Sequence, residues 1–114
     1  MVEYNQQLNQ VFGSLSDPTR RDILRRVSKK AMSVGEIAKH YSLSFAAVAK
    51  HLEVLEHAGL VTKTRRGKEQ IVSVTPKALE GAHSYLNHFE RLWQGRLESL
   101  DKYLKSVKKG EQHD

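Results

Sequence analysis

The sequence predicts a mostly α-helical protein that carries one small β-hairpin. Apolar residues recur at spacings of three and four along most of the chain, which is the period of an amphipathic helix. The exception is 60–74, where two strand-like segments flank a charged turn that contains a glycine. At 114 residues, the chain is long enough for one domain with a modest core. We therefore expect a single domain over 1–114.

Two helices are expected in the first quarter of the chain. The first covers 4–15 and carries an apolar stripe. The second begins at Asp17, whose carboxylate can accept from a free backbone N–H group, and Pro18 suits its first position because proline lacks an N–H. The inward-facing residues of the second helix are Ile23, Leu24 and Val27.

Two shorter helices follow, and a three-residue turn joins them. Ser33 and Glu36 have the spacing of a capping box, in which each side chain accepts from the backbone N–H of the other residue. Ser44 can cap the next helix, which covers 45–57 and ends where Gly59 can adopt a left-handed conformation. A short capped helix, a tight turn and a second capped helix together predict a helix-turn-helix.

A hairpin and a long final helix complete the pattern. The strand candidates are 60–65 and 70–74, and Gly67 between them can take the positive φ that the turn needs. Helical spacing then continues over 76–107. We expect the last residues, 108–114, to form a frayed tail.

The outward face of the second helix of the pair is small and largely apolar. In helix-turn-helix proteins that bind DNA, this helix enters the major groove with its N-terminal residues nearest the base edges. Phe45, Ala46 and Ala49 could contact thymine methyl groups there, and Lys50 could reach a guanine or a phosphate. The alanines would equally serve helix propensity alone, so this face by itself leaves both interpretations open.

The hairpin turn favours the nucleic-acid interpretation. Arg65, Arg66 and Lys68 surround its glycine, where they can reach phosphates or a narrow minor groove. A charged tip alone is usually a solvated loop, but directly after a helix-turn-helix it completes a winged helix. The net charge of +6 and the isoelectric point near 9.7 agree with a nucleic-acid partner. We therefore expect contact with double-stranded DNA.

Three parts of the chain resemble a known family. The segments "SDPTRRDIL" and "MSVGEIAKHYSLSFAAVAKHLEVLEHAGLVTKTRRGKEQ", with a long final helix that contains a tryptophan, are similar to the ArsR-type winged-helix transcriptional regulators, in the branch without the metal-thiolate box. The resemblance covers roughly 8–105. It implies a homodimeric repressor that reads a palindromic operator with a recognition helix, 44–57, and a basic wing, 60–74. Carried over by position, the DNA-contacting residues are Ser44, Phe45, Ala46, Ala49, Lys50, His51, Arg65, Arg66 and Lys68.

A second interpretation is a dimeric protein-interaction module with the same fold that does not read DNA. It is based on two departures from the family pattern. Ala49 stands where Ser is common, and Phe45 stands where Gln or a smaller residue is frequent. Both departures remove hydrogen-bonding capacity from the helix that would read the bases. Salt-dependent binding to promoter DNA would separate the two interpretations.

The apolar stripe of the final helix predicts a homodimer. It is too long for the rest of one small domain to cover, so we expect it to pack against its copy, together with the first helix. The dimer would thus form through the terminal helices. The expected interface residues are Leu8, Val11, Phe12, Leu86, Phe89, Trp93, Leu97 and Leu100.

Other functions are disfavoured by what the sequence lacks. It has no cysteine, which excludes disulfides and thiolate metal sites. His83 and His88 are five residues apart and lie on different faces of a helix, so we expect no metal site and no cofactor. The sequence contains no convergent acid–base set and no phosphate-binding loop, so nothing in it indicates an enzyme. Because no signal peptide or bilayer-spanning stretch is recognisable, we expect a cytoplasmic protein without a membrane partner.

Overall fold

The computed structural model describes residues 5–111 and confirms a winged helix-turn-helix. Within these residues, five α-helices and three strands follow one another. In chain order they are α1 (Gln6–Ser14), α2 (Pro18–Lys29), β1 (Met32–Ser33), α3 (Val34–Ala38), α4 (Phe45–His57), β2 (Val61–Arg66), β3 (Glu69–Val74) and α5 (Pro76–Glu111). The predicted recognition helix, α4, begins and ends where its caps indicate.

Hydrogen bonds confirm the predicted helix starts. Asp17 caps α2 through its carboxylate. At α3, Ser33 Oγ accepts from the Glu36 N–H at 3.1 Å, and Glu36 Oε1 accepts from the Ser33 N–H at 3.3 Å. At α4, Ser44 Oγ accepts from the Ala47 N–H at 3.1 Å. Because each cap satisfies a donor that the helix itself leaves free, these side chains determine where the three helices begin.

Two glycines adopt the left-handed conformations that the sequence predicts. Gly59 has a φ of 79° and follows α4, where the Leu60 N–H donates to the Leu55 carbonyl at 3.0 Å, as in a Schellman motif. Gly67 has a φ of 63° and lies in the turn between β2 and β3. Any other residue at either position would be strained. At Gly59, an added Cβ would also lie 3.1 Å from the Gln7 amide nitrogen.

The sheet contains one strand more than the predicted hairpin. Its order is β1–β3–β2, and both neighbouring pairs are antiparallel. Strands β2 and β3 form the hairpin, with pairing that runs from Val61 opposite Val74 to Arg66 opposite Glu69. Strand β1 has only two residues. Two residues are too few to show a periodicity, so this strand is recognisable only after the fold has brought it beside β3.

The core lies where the first four helices meet the hairpin. Among its fully buried side chains are Ile23, Val48, Leu52 and Leu55, which the helical spacing places on inward faces. Further buried apolar side chains are Val11, Val27, Ile37, Leu60, Val61 and Val72. Burying one such side chain contributes about 1.5–3 kcal/mol to the free energy of unfolding. Three of these side chains lie on α4, so its rotation about its own axis is determined by the core.

Helix α5 is 36 residues long and takes part in two compact units, which divide the chain between Ala82 and His83. In the first unit, Ala78 and Ala82 are buried in the core. In the second unit, the side chains from 83 to 110 are exposed apart from the half-buried Asn87. The single domain over the whole chain therefore stays a prediction.

The ends of the chain differ in extent from the sequence prediction. Helix α5 continues past the predicted end at 107 to Glu111, and the rest of the expected tail, 112–114, lies outside the described residues. Tyr4, the predicted start of the first helix, also lies outside them, and α1 begins at Gln6. Within 5–111, no helix is both long enough and apolar enough to cross a membrane.

Candidate nucleic-acid interface

The first turns of α4 present the predicted DNA-contacting residues at the surface. Phe45 is 61% exposed, Ala46 and Lys50 are exposed, and Ala49 is half-buried. We call these four side chains the reading face. Ser44 lies beside them, with its Oγ engaged in the N-cap. Because the opposite side of α4 is buried in the core, the reading face is held outward.

His51 has different surroundings from the reading face. Its side chain is 22% exposed. Its Nδ1 lies 3.6 Å from Asp17 Oδ2 and 3.5 Å from Arg20 Nη1, both on the start of α2. These contacts direct His51 towards the body of the protein, so it holds α4 in place in this structure.

The arginines of the "DPTRR" segment join α1 to α2. Arg20 Nε donates to the Ser14 carbonyl at 2.6 Å, and its Nη2 donates to the Gly13 carbonyl at 3.2 Å. Arg21 Nη1 donates to the Leu15 carbonyl at 2.7 Å. These carbonyls lie at the end of α1, where the helix itself supplies no N–H donor to the last C=O groups. The segment therefore has a structural role that the sequence analysis did not predict.

The wing tip carries the cations that the sequence predicts. Arg65, Arg66 and Lys68 are all exposed. Arg65 Nε donates to the Gly67 carbonyl at 3.2 Å, which holds its side chain across the turn. Arg66 and Lys68 form no salt bridge with another residue of the described chain. Their charge is therefore available to an external anion.

An ion pair connects the wing to α4. Lys63 Nζ of β2 lies 3.6 Å from Glu56 Oε1, and the Lys63 side chain is only 20% exposed. A pair that is partly open to solvent adds little to stability, about 0–1 kcal/mol. Its effect is geometric, because it links the strand that leads to the wing tip with the predicted recognition helix. Sequence reasoning gave no indication of this contact.

A second polar cluster joins α2 to the turn between α3 and α4. Tyr41 Oη donates to Asp22 Oδ2 at 2.6 Å, Arg26 Nε donates to the same oxygen at 2.9 Å, and Arg25 binds the other oxygen. The hydrogen bonds from Tyr41, Arg26 and Arg25, in that order, hold the pKa of Asp22 well below its usual range. Burial, followed by the bond to Asp22, raises the pKa of Tyr41.

The histidines of α5 are separate from one another. His83 and His88 are both exposed, and the His88 ring lies edge-on to Phe89 with ring centroids 5.6 Å apart. Among the residues that the structure describes, no group of three His, Cys, Asp or Glu side chains could hold a metal ion. Independence from metal stays a prediction.

The predicted interface residues fall into two groups. On α5, Leu86, Phe89, Trp93, Leu97 and Leu100 are between 40% and 59% exposed, and we call these five the α5 stripe. On α1, Leu8 and Phe12 are half-buried, whereas Val11 is fully buried. Val11 belongs to the core of its own subunit and has no surface left for a partner. We therefore remove Val11 from the expected interface.

Comparison with known proteins identifies the class to which this fold and site belong. Residues 15–64 match the model of a helix-turn-helix domain. The chain is 32% identical over 82 residues to the transcriptional repressor SdpR of Bacillus subtilis (strain 168), an alignment that covers 72% of this chain and 91% of SdpR. It is also 32% identical over 81 residues to the HTH-type transcriptional regulator Rv2034 of Mycobacterium tuberculosis, covering 71% of this chain and 76% of that protein.

Solved structures indicate the same class of protein as these relatives. An ArsR family transcriptional regulator, RHA00566, superposes with a TM-score of 0.74 at 30% identity, over 82% of this chain and 97% of its own. A more distant fold neighbour is the homodimeric winged helix-turn-helix DNA-binding domain of Mb0332 from Mycobacterium bovis, with a TM-score of 0.61 at 18% identity over 80% of this chain and 91% of its own. The chain belongs to the ArsR family of winged-helix transcriptional regulators.

Proposed function

We propose that this chain is a homodimeric repressor that binds double-stranded DNA at a palindromic operator. The observation that carries the proposal is the outward reading face of α4, followed in the same unit by a wing whose Arg66 and Lys68 are exposed and without salt-bridge partners in the described chain. In this proposal α4 lies in the major groove, and the wing contacts phosphates or the adjacent minor groove. The name of its relative SdpR supports repression as the outcome of binding.

The proposed dimer is supported by the α5 stripe. Side chains of this size rarely remain exposed in such number on a monomer, because burying them is favourable by about 25 cal/mol per Å² of apolar surface. Three more large apolar side chains, Tyr103, Leu104 and Val107, are exposed further along α5. A second copy of the chain would cover both groups. The Mb0332 domain, which is described as homodimeric, has the same fold.

Titration of promoter DNA tests the proposal. We would follow the anisotropy of a labelled fragment upstream of this chain's own gene, and of a scrambled fragment of equal length, at several salt concentrations. We expect the promoter fragment to bind at least about a thousandfold more tightly than the scrambled one, with an affinity that falls steeply as salt rises. Equal, weak binding of both fragments at every salt concentration would contradict DNA reading.

The second candidate function, a protein-interaction module, is favoured by the 61% exposure of Phe45. A large exposed aromatic side chain is typical of protein interfaces as well as of DNA contacts. This candidate predicts a dimer without salt-dependent preference for the promoter fragment. The same titration therefore separates the two candidates.

A further inference from the structure

A cleft of about 410 Å³ lies between α3, the start of α4 and the wing. This volume falls within the range of sites that bind small molecules, about 300–1,000 Å³. The cleft is lined by residues of all three elements and lies entirely within the first unit. Three of its lining residues, Phe45, Ala49 and Lys68, are also proposed DNA contacts.

The helix side of the cleft is apolar. Leu52 is fully buried and Val34 is 7% exposed, so both belong to the core and present only a small surface at the bottom of the cleft. Phe45 and Ala49 form the wall towards the reading face. A phosphate group would gain little from such a lining, whereas an aromatic or aliphatic body would be removed from water there.

The wing side of the cleft is polar and carries two ammonium groups. Lys63 and Lys68 line it together with Gln70, and the one carboxylate among the described lining residues is Glu69. Lys63 is held in place by Glu56, which leaves the remaining ammonium hydrogens free for another acceptor. The cleft thus combines an apolar wall with ammonium donors on the opposite side.

We propose that this cleft binds a small carboxylate with an aromatic body, and that this ligand and DNA exclude one another. The ring would lie against Phe45 and Ala49, and the carboxylate would face Lys63 and Lys68. Exclusion follows because Phe45, Ala49 and Lys68 are also proposed DNA contacts. The mutual exclusion rests on the proposed function, since a ligand in the cleft can release DNA only if those three residues contact the DNA.

Direct binding without DNA is tested with 2-naphthoate as the anionic probe and 2-naphthamide as its neutral counterpart. In spectra of ¹⁵N-labelled full-length protein, 2-naphthoate should shift the amide signals of Ala49 and Gln70 in a saturable way. The amide probe should bind at least about fivefold more weakly. Lys63→Met should weaken 2-naphthoate binding by about the same factor and leave 2-naphthamide unchanged, because it removes the ammonium group and keeps an apolar side chain of similar length. No saturable shift at either residue, or equal affinity for the two probes, would overturn the proposal.

A blocking variant locates the ligand. Gly35 lines the cleft, and an added Cβ there would have its nearest neighbour, Ser33 Oγ, at 3.9 Å, an ordinary contact. Gly35→Leu should therefore fold and fill the cleft, with a loss of 2-naphthoate affinity of at least about tenfold. Gly35→Ala is the matched control and should stay within about twofold of the wild type. Equal affinities for both variants would place the probe elsewhere and overturn the assignment.

Competition with DNA completes the test. Saturating 2-naphthoate should weaken promoter binding by the wild type at least about tenfold and have no effect on Gly35→Leu. Unchanged DNA affinity with 2-naphthoate bound would overturn mutual exclusion. Failure of the proposed function is distinguishable, because wild-type protein would then bind the probe but not the promoter.

Discussion

At the residue scale, Arg20 connects three helices. Its guanidinium donates to carbonyls at the end of α1, lies 3.8 Å from Asp17 at the start of α2, and lies 3.5 Å from His51 of α4. Only arginine offers enough N–H donors in a rigid planar group to serve these partners together. The orientation of the reading face therefore depends on a residue that does not itself belong to it.

Replacing Arg20 with lysine should destabilise the protein. Arg20→Lys keeps the charge but leaves at least one α1 carbonyl without its donor, so we expect the free energy of unfolding to fall by about 1–3 kcal/mol. Urea denaturation followed by circular dichroism measures this change. Arg66→Ala, on the exposed wing tip, is the control and should change stability by less than about 0.5 kcal/mol. Equal stability of Arg20→Lys and wild type would show that the network contributes nothing.

Lys50 and Arg66 should affect DNA binding in different ways. Lys50→Ala should cost about 1–3 kcal/mol on the operator and less on random DNA, because Lys50 belongs to the face that we propose contacts the bases. Arg66→Ala should weaken binding to both DNAs alike and reduce the salt slope by about one ion, because we propose that this wing-tip cation contacts phosphates. The ratio of the affinity for operator DNA to the affinity for random DNA shows which residue supplies specificity. If Arg66→Ala lowers that ratio while Lys50→Ala leaves it intact, the two roles are reversed.

At the element scale, α5 carries the apolar surface that one subunit does not cover. Leu86, Trp93, Leu100 and Val107 recur at intervals of seven residues, and all four are exposed. A strict seven-residue repeat places these side chains along one seam of a helix, as in helices that pair along their length. The stripe is therefore arranged for a helical partner, which in our proposal is the second copy.

Lysines in the α5 stripe should dissociate the dimer. Leu97→Lys with Leu100→Lys places two charges where the proposed interface excludes water, so the variant should be monomeric or unfolded. Light scattering at micromolar concentration should give the mass of two chains for the wild type and of one chain for this variant. Gln94→Lys with Ser99→Lys adds the same charge at other exposed positions of α5 and should leave the mass unchanged. A monomeric wild type would refute the dimer.

At the scale of the whole molecule, Asp22 makes the stability of the fold depend on pH. Its carboxylate joins Tyr41 of the segment after α3 to the two arginines of α2, and these bonds lower its pKa. A carboxyl whose pKa is lower in the folded state than in the unfolded state binds its proton more weakly when folded. Its contribution to stability is therefore complete above the unfolded pKa, about 4, and is lost as the pH falls through the folded value.

Asp22→Asn should make the stability of the protein less sensitive to acid. The amide keeps the shape of the side chain but cannot ionise, so the variant should be less stable than the wild type at pH 7 and approach it towards pH 3. Urea denaturation at both pH values gives the two differences in free energy of unfolding. Glu80→Gln, an exposed carboxylate of α5, serves as the control. A stability difference between Asp22→Asn and wild type that is the same at both pH values would contradict the linkage.

The symmetry of the proposed dimer determines the spacing of its operator. Two copies of α4 related by a two-fold axis would enter successive major grooves, so the half-sites should lie about 10 base pairs apart, centre to centre. Sequencing the fragments that the purified protein retains from random DNA measures this spacing. Inserting five base pairs between half-sites turns them to opposite sides of the duplex and should abolish tight binding. Tight binding that tolerates this insertion would argue against simultaneous contact by both helices.

The sequence by itself determined where α2, α3 and α4 begin and that a hairpin follows them. Caps such as Asp17, Ser33 and Ser44 act on backbone groups two or three residues away, and the φ of Gly59 and Gly67 is a property of single residues. Helical spacing also identified which side of α4 faces outward. All of these signals arise from interactions between near neighbours in the chain, so they can be recognised without the fold.

Only the tertiary structure decided what each apolar or charged face meets. Spacing places Val11 on an apolar face, but it does not say whether that face meets the core or a second subunit, and the core is the answer. The contacts of Arg20 with His51 and of Lys63 with Glu56, the strand β1 and the cleft beside α4 likewise join residues far apart in sequence. Such contacts depend on how the elements pack in three dimensions, and short-range patterns carry no information about that packing.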